Sequence, residues 1–479
     1  MCLNGMKFDL TAFFGKKENV YLVLALSFGL IMAVFNPPFD GVPDEHAHYW
    51  KSWAVAEGNW HCTDQDAIPQ TAFDLPSQIK PVKYPGVEGG EKFVVAGLAQ
   101  RLKAVDTGGN VVIKGSVCTV LPFGYLPQAI GLDLGRLFHL SPLADFYLAR
   151  ILNLLAAVFV TYLAIRIVPF GKVLLMLVGL LPMTIQQFAS LGYDALHISL
   201  IMLFIAYVLR LANDKKEIRK KEIVILALLS IVALNVKPGY FPVAAIVFLL
   251  PSAKFSDKRK YWATVAGVAS LNIVAFMLIR VFLNGGEGVV NGVNPNDQLL
   301  FVAAHPLHFL FVMLDTIYGR LSFLVESFLF KPGWLKQSMP FYYYFLVIVG
   351  MVLLTRNDDD AGAEVSLTNR QRFILLGTFL ASFCLVYLSM YLVWTKVGAD
   401  KISGVQGRYL LGIFPLLLFT FYKSKFNLRF DFIRKHHNMA FTFFAILTFF
   451  LALRTMYGMY YDKSLKTQSV YIQYLESER

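Results

Sequence analysis

The chain has 479 residues, 56% of them hydrophobic and only 16% charged, with a formal net charge of +12. So little charge cannot cover the surface of a soluble protein of this length, and the mean hydropathy is +0.55. The positive balance does not argue for a nucleic-acid partner, because Lys and Arg gather at the ends of apolar runs, where membrane proteins carry them on the cytoplasmic side.

Apolar stretches of about 17–25 residues recur along the chain, the length a helix needs to cross hydrocarbon. Lipid cannot satisfy exposed backbone groups, so only helices or a closed barrel can span it. The runs are too continuous for barrel strands, which alternate. The expectation is an all-α polytopic protein with about eleven transmembrane helices and a large first extracytoplasmic loop.

Residues 1–19, with Lys7, Lys16 and Lys17, read as a cytoplasmic N-terminus. Together with the next apolar run they resemble a signal peptide. That run lacks a small-residue cleavage site and ends in Asn36-Pro37-Pro38, so it reads as a retained first helix over 20–36. Residues 37–142 form the first extracytoplasmic loop, and spans follow at 143–168, 172–190 and 194–211. The basic run Lys215-Lys216-Glu217-Ile218-Arg219-Lys220-Lys221 returns to the cytoplasm. Short spans at 222–236 and 239–251 hinge on Lys237-Pro238-Gly239, and a basic loop with Lys254, Lys258, Arg259 and Lys260 precedes a span at 261–283.

Residues 284–340 make a second external region. Within it, 300–330 carries His305, His308, Asp315, Arg320 and Glu326 and reads as an interfacial or partly buried helix. Spans at 341–355, 373–394, 409–423 and 439–457 complete the transmembrane domain, 20–457, and leave an external tail, 458–479. Every strongly basic loop then falls on one side. Cys62 and Cys118 both fall in the first loop, where an oxidising compartment permits a disulfide, with two free thiols as the alternative. No internal repeat and no nucleotide-binding motif is present, so an activated substrate must arrive in the membrane or from outside.

Polar candidates lie at the outer ends of the spans. Asp44, Glu45 and His48 follow the first span; Pro43 suits a first helical turn, and Asp44 and His48 share a face. They fit a base with its orienter, half of a metal site, or the capping of an interfacial helix. Tyr193-Asp194 stands at a turn between spans, where Asp194 could simply cap a helix. Arg150 and Asn153 lie about two turns inside a span, and intramembrane Arg faces a partner or a polar cavity unless it snorkels. Gln406, Arg408 and Tyr409, in Gly404-Val405-Gln406-Gly407-Arg408-Tyr409, suit close approach to a phosphate or a plain interfacial anchor. Trp334, in Lys331-Pro332-Gly333-Trp334, fits a sugar platform or a membrane-interface aromatic.

Val42-Pro43-Asp44-Glu45-x-Ala47-His48-Tyr49 resembles the signature of family 2142 of the domains of unknown function. The likeness continues through Tyr125-Leu126-Pro127-Gln128, Arg150-x-x-Asn153, Leu181-Pro182-Met183, Ser190-x-x-Tyr193-Asp194-Ala195, Lys237-Pro238-Gly239-Tyr240, Gly333-Trp334 and Gly404-Val405-Gln406-Gly407-Arg408-Tyr409. It covers about residues 20–420. His46 stands where Pro is usual, which favours a metal reading of that block.

The family is similar to glycosyltransferases of the GT-C fold, which take a sugar from a polyprenyl phosphate and transfer it outside the cytoplasm. The resemblance implies a bundle in the bacterial inner membrane that acts on a surface glycan or lipid-linked acceptor, as in O-antigen serotype conversion, where a neighbouring lipid-phosphate glucosyltransferase would point to glucose. It implies an essential loop carboxylate, which the motif places on Asp44. The expected mechanism makes Asp44 the general base, with Glu45 and Asp194 orienting it or the acceptor. Arg408 and then Arg150 meet the phosphate. Asn153, His48, Tyr193, Gln406, Trp334 and Tyr409 contact substrate; no cofactor is fixed, and Asp44 and His48 could share a divalent cation, Mg or Mn. A transporter or flippase and a polysaccharide polymerase are the rival classes.

Overall fold

The computed structural model describes residues 10–39, 41–60, 66–79, 98–104, 108–113, 120–237, 239–282, 292–358, 367–423 and 430–462. These are almost wholly helical. Among the described residues the strands form a two-stranded antiparallel ribbon, Ala67–Pro69 against Asn110–Val112, within the first loop.

Six described helices are long and apolar enough to cross a membrane: Lys17–Phe35, Pro142–Ile167, Asp194–Asn213, a stretch of Lys258–Phe282, Asn369–Val393 and His437–Tyr460. A bent pair, Pro295–Ala304 and Pro306–Gly319, makes a seventh if counted as one span. About eleven spans were expected; the other apolar segments among the described residues fall short of this length because their backbone is short or broken. Residues 172–190 break into Lys172–Gly179 and Pro182–Phe188, because Pro182 has no N–H with which to continue the first helix. Residues 239–251 wind as a 3-10 helix, Phe241–Leu249. Residues 409–423 hold a 3-10 turn, Gly407–Leu410, and the seven-residue helix Phe414–Thr420. Lys220–Asn235 has sixteen residues, and Phe341–Arg356 is likewise apolar but short. Hydropathy registers apolar character, which all these segments have; it does not register whether the helix is unbroken.

The region 300–330, expected to be an interfacial or partly buried helix, is broken rather than continuous. Its two helices meet at 106° at His305-Pro306, and Leu307, Phe311 and Tyr318 project outward. Asp194–Asn213 is the central helix, with 89% of its most apolar stretch buried, whereas Lys258–Ile279 is peripheral at 17%. Leu126–Leu137 folds back onto Pro142–Ile167 so closely that a Cβ on Gly131 would sit 2.6 Å from Ala149 Cα.

The bundle has two unlike ends. One is basic: Lys17 pairs with Asp358, Lys172 with Glu18 at 2.8 Å, and Arg372 donates to the Tyr422 carbonyl at 2.9 Å. Arg166, Arg210, Lys220 and Lys258 lie at helix ends that the chain direction places there too. The other end gathers the C-terminus of Lys17–Phe35, the starts of Pro142–Ile167 and Asp194–Asn213, and Tyr461, whose hydroxyl donates to the Phe35 carbonyl. All the polar candidates lie at this second end.

Replacing Gly131 with Val should cost about 1–3 kcal/mol through overpacking. A lowered thermal midpoint in detergent would register it, whereas an unchanged midpoint would mean that the two helices do not pack this closely.

Candidate functional site

The site begins with a missing hydrogen bond. The Lys17–Phe35 helix runs into Pro37-Pro38, and Pro37 has no N–H to offer the Ala33 carbonyl four residues back. Arg150 supplies the donors. Its Nη1 reaches the carbonyls of Ala33 at 2.8 Å and Asn36 at 2.9 Å, and its Nη2 reaches Pro37 at 3.3 Å. The guanidinium also lies 4.5 Å from the centre of the Phe146 ring.

Glu45 completes this arrangement. Its Oε1 accepts from Arg150 Nε at 2.8 Å and from the Leu191 N–H at 3.2 Å. Its Oε2 accepts from Arg150 Nη2 at 2.5 Å and from the Phe39 N–H at 3.1 Å. Both side chains are fully buried. This corrects two expectations. Arg150 is committed to backbone carbonyls and to Glu45, so it does not face a phosphate; Glu45, expected to orient Asp44 or the acceptor, spends both oxygens on Arg150, Phe39 and Leu191 and bears on Asp44 only from beneath. Asn153 also departs from its expected substrate contact. Its Nδ2 donates to the carbonyls of Ser190 at 2.7 Å and Gly192 at 3.1 Å, and Gln128 supports Leu191 and Gly192 in the same way. These buried side chains fix the turn that leads into Asp194.

Asp44 is placed differently from its neighbour. Its backbone is left-handed, with φ of 61°, and its side chain is exposed at the mouth of the site. A residue other than Gly rarely adopts that conformation without being held there. Here Glu45, drawn inward by Arg150, leaves Asp44 pointing out. His48, one turn along Glu45–Ala56, faces the interior, with its Nδ1 2.8 Å from the Tyr125 hydroxyl and its ring edge-on to Tyr193. Burial pushes the His48 imidazole down to about 4, against partial opposition from Asp44 and then Asp194, so the ring is neutral at neutral pH.

Asp194 opens the central helix, and its Oδ1 accepts from Lys237 Nζ at 3.1 Å. That ammonium lies 3.9 Å from the centre of the Tyr409 ring and 5.3 Å from that of Tyr193. Arg408 is buried and oriented by two glutamines, Nε donating to Gln406 Oε1 at 2.6 Å and Nη1 to Gln187 Oε1 at 3.1 Å. Tyr240 donates to the Tyr409 carbonyl at 2.7 Å and steadies that loop. His48 and Lys237 both lie against Tyr193, Lys237 joins Asp194 to Tyr409, and Asp44, Asp194, Arg408 and Lys237 all act electrostatically on His48. Gly407 lets the loop press against Leu321–Leu329, for a Cβ there would lie 2.0 Å from the Leu324 carbonyl oxygen.

Trp334 stands at the rim, 37% exposed and near-parallel to His46 at 6.4 Å between centroids. It belongs to three consecutive left-handed residues, Gly333, Trp334 and Leu335.

Asp44, His48, Tyr193, Asp194, Gln406, Arg408 and Tyr409 are thus brought together, Trp334 flanks them, and Glu45, Arg150 and Asn153 form the layer beneath. The principal residue that sequence reasoning missed is Lys237, which read as part of a hinge. Its signal was a lone cation between two apolar runs on the side away from the basic loops. Among the described residues no three His, Cys, Asp or Glu side chains are grouped to hold a metal ion, and His48 Nδ1 already engages Tyr125. Cys62 and Cys118 lie outside the described residues.

Residues 26–417 match the family model described as Predicted membrane protein (DUF2142). No curated protein matches the chain.

Two outcomes follow from this geometry. Arg150→Met should lose about 3–5 kcal/mol, because it leaves Glu45 buried and unpaired, and adding Glu45→Leu should recover part of that. Thermal unfolding in detergent would read both, and a single variant as stable as the parent would contradict the pairing. The second outcome concerns pH. His48 has a depressed folded-state value, so the unfolded chain binds the extra proton between about 6.5 and about 4. Its contribution is therefore complete above that window and is lost as pH falls through it. His48→Gln should lose less stability than the parent between pH 6.5 and 4.5, measured by thermal midpoints across that range.

Proposed function

The chain belongs to this family of predicted membrane proteins, and from that premise we propose that it is a GT-C-like glycosyltransferase that moves a sugar from a polyprenyl phosphate to a surface glycan or lipid-linked acceptor. The observation that carries the reading is an exposed carboxylate, Asp44, which together with two cations, the buried Arg408 and the largely enclosed Lys237, acts on a neutral His48. Glycosyl transfer from a lipid phosphate needs two things at once: a base for the acceptor hydroxyl and positive charge for the departing phosphate.

The sidedness supports the same reading. Basic loops mark the cytoplasmic end, so the site, at the other end, faces away from the cytoplasm in the bacterial inner membrane. A donor used there must come with its own membrane anchor, which a polyprenyl chain provides. The N-terminus is then cytoplasmic and Tyr461 lies on the far side.

In this mechanism Asp44 accepts the acceptor's hydroxyl proton, the freed oxygen attacks the anomeric carbon, and the phosphate leaves toward Arg408. A single displacement inverts the anomeric configuration. Asp194 and Tyr193 shape the wall, while Trp334 and His46 offer aromatic faces to a sugar.

One structural feature favours transport as a second reading. The break between Lys172–Gly179 and Pro182–Phe188, and the 106° bend at Pro306, are the discontinuous helices that transporters place around substrate.

The purified protein in nanodiscs, given a synthetic polyprenyl-phosphate sugar and a lipid-linked oligosaccharide acceptor, should release polyprenyl phosphate and extend the glycan. Asp44→Asn should fold normally yet lose about 10²–10⁴-fold in rate. Full activity in that variant would remove Asp44 from the chemistry. Movement of the lipid across liposomes with no bond broken would establish transport instead.

A further inference from the structure

Lys237, the second cation beside Arg408, has no step of its own in the mechanism so far. Its ammonium is held by Asp194, lies against the faces of Tyr409 and Tyr193, and is only 15% exposed. Arg408 acts on it electrostatically from nearby. Both cations act on the one carboxylate of Asp194, so two positive charges there stand against a single anion that touches only Lys237. They differ in freedom as well. Arg408 is a planar fork fixed by Gln187 and Gln406, whereas Lys237 is a compact charge on a flexible stem with a single carboxylate partner.

Glycosyl transfer moves charge. The acceptor O–H gives its proton to Asp44, its oxygen pair forms the bond to the anomeric carbon, and the C–O bond to phosphate breaks with both electrons going to the phosphate oxygen. A phosphodiester with one negative charge becomes a monoester, whose second ionisation lies near pH 6. Negative charge therefore disappears at residue 44 and appears at the phosphate.

The geometry points to Lys237 as a catalytic residue: its ammonium, held in place by Asp194 before reaction, meets the second negative charge that forms on the lipid phosphate, while Arg408 holds the first. This rests on the glycosyl-transfer reading above. It assigns the two cations different work. Arg408 binds donor and product alike, and Lys237 favours what exists only after, or during, bond cleavage.

Binding of two short lipids to the full-length protein in detergent tests this without requiring turnover. Farnesyl phosphate at pH 8 carries two charges, and its methyl diester carries one. The parent should bind the monoester about tenfold or more tightly than the diester, the worth of one charge-assisted contact. Lys237→Met should abolish that preference while binding the diester as the parent does, Lys237→Arg should retain it, and Arg408→Met should weaken both lipids. In transfer assays Lys237→Met should lower kcat by about 10²–10³-fold and leave the donor KM nearly unchanged. Lys237→Gln, with thermal midpoints for each variant, provides a second neutral replacement should the Met variant unfold. A neutral variant that keeps the monoester preference, or that weakens both lipids equally, overturns the assignment. A parent that shows the preference but transfers no sugar overturns the glycosyl-transfer reading instead.

Discussion

The buried Glu45–Arg150 pair is the constraint on which the site depends. Its origin is local, since Pro37 cannot close the last turn of the first long helix and the Ala33 carbonyl needs another donor. Arg150 reaches it from a different helix and needs an anion once buried; Glu45 provides one and turns its remaining lone pairs to the N–H groups of Phe39 and Leu191. Taking two charges out of water is costly, and such a pair persists only when nearly every donor and acceptor is satisfied. Here the contacts join three segments: the end of the first helix, the turn that carries Asp44, and the turn that leads to Asp194. The separation of the two carboxylate-bearing turns is therefore set from beneath.

That underlying layer also explains why so much irregular backbone is tolerated within an apolar bundle. Non-helical chain at membrane depth survives only where protein satisfies its polar groups. Gln128 and Asn153 hold the Ser190–Gly192 carbonyls, and Gln186 holds the carbonyl of Gly41. The broken helix at Pro182, the 3-10 segment after Lys237 and the 3-10 turn at Arg408 all adjoin the site. Continuous helix would have hidden these backbone turns and set the side chains they carry on other faces.

The long helices were legible because an unbroken run of apolar residues has one solution in lipid. The convergence of Asp44, His48, Asp194 and Arg408 was legible too, because each ends an apolar run on the side away from the basic loops. The division of labour between Asp44 and Glu45 was not. Adjacent acids look alike in sequence, and what separates them is a left-handed φ at Asp44 and a partner for Glu45 that is 105 residues away. Arg150 obeyed the rule that an intramembrane cation faces a partner or a cavity, and the rule does not say which. Lys237 was concealed by its neighbours, for a lysine before Pro-Gly reads as a turn until Tyr409 and Asp194 are seen to enclose it.

The proposed base is set apart by what does not pair with it. Asp44 lies four residues from His48, and an imidazolium there would hold the carboxylate in its charged form and weaken it as a proton acceptor. Burial keeps that ring neutral at physiological pH. The two cations of the site are engaged elsewhere, Lys237 by Asp194 and Arg408 by two glutamines. Asp44 is thus left near positive charge without being bound to it. In the proposed transfer a carboxylate so placed takes the proton from the acceptor hydroxyl, and the negative charge it gives up reappears on the phosphate, on the side where Arg408 and Lys237 stand.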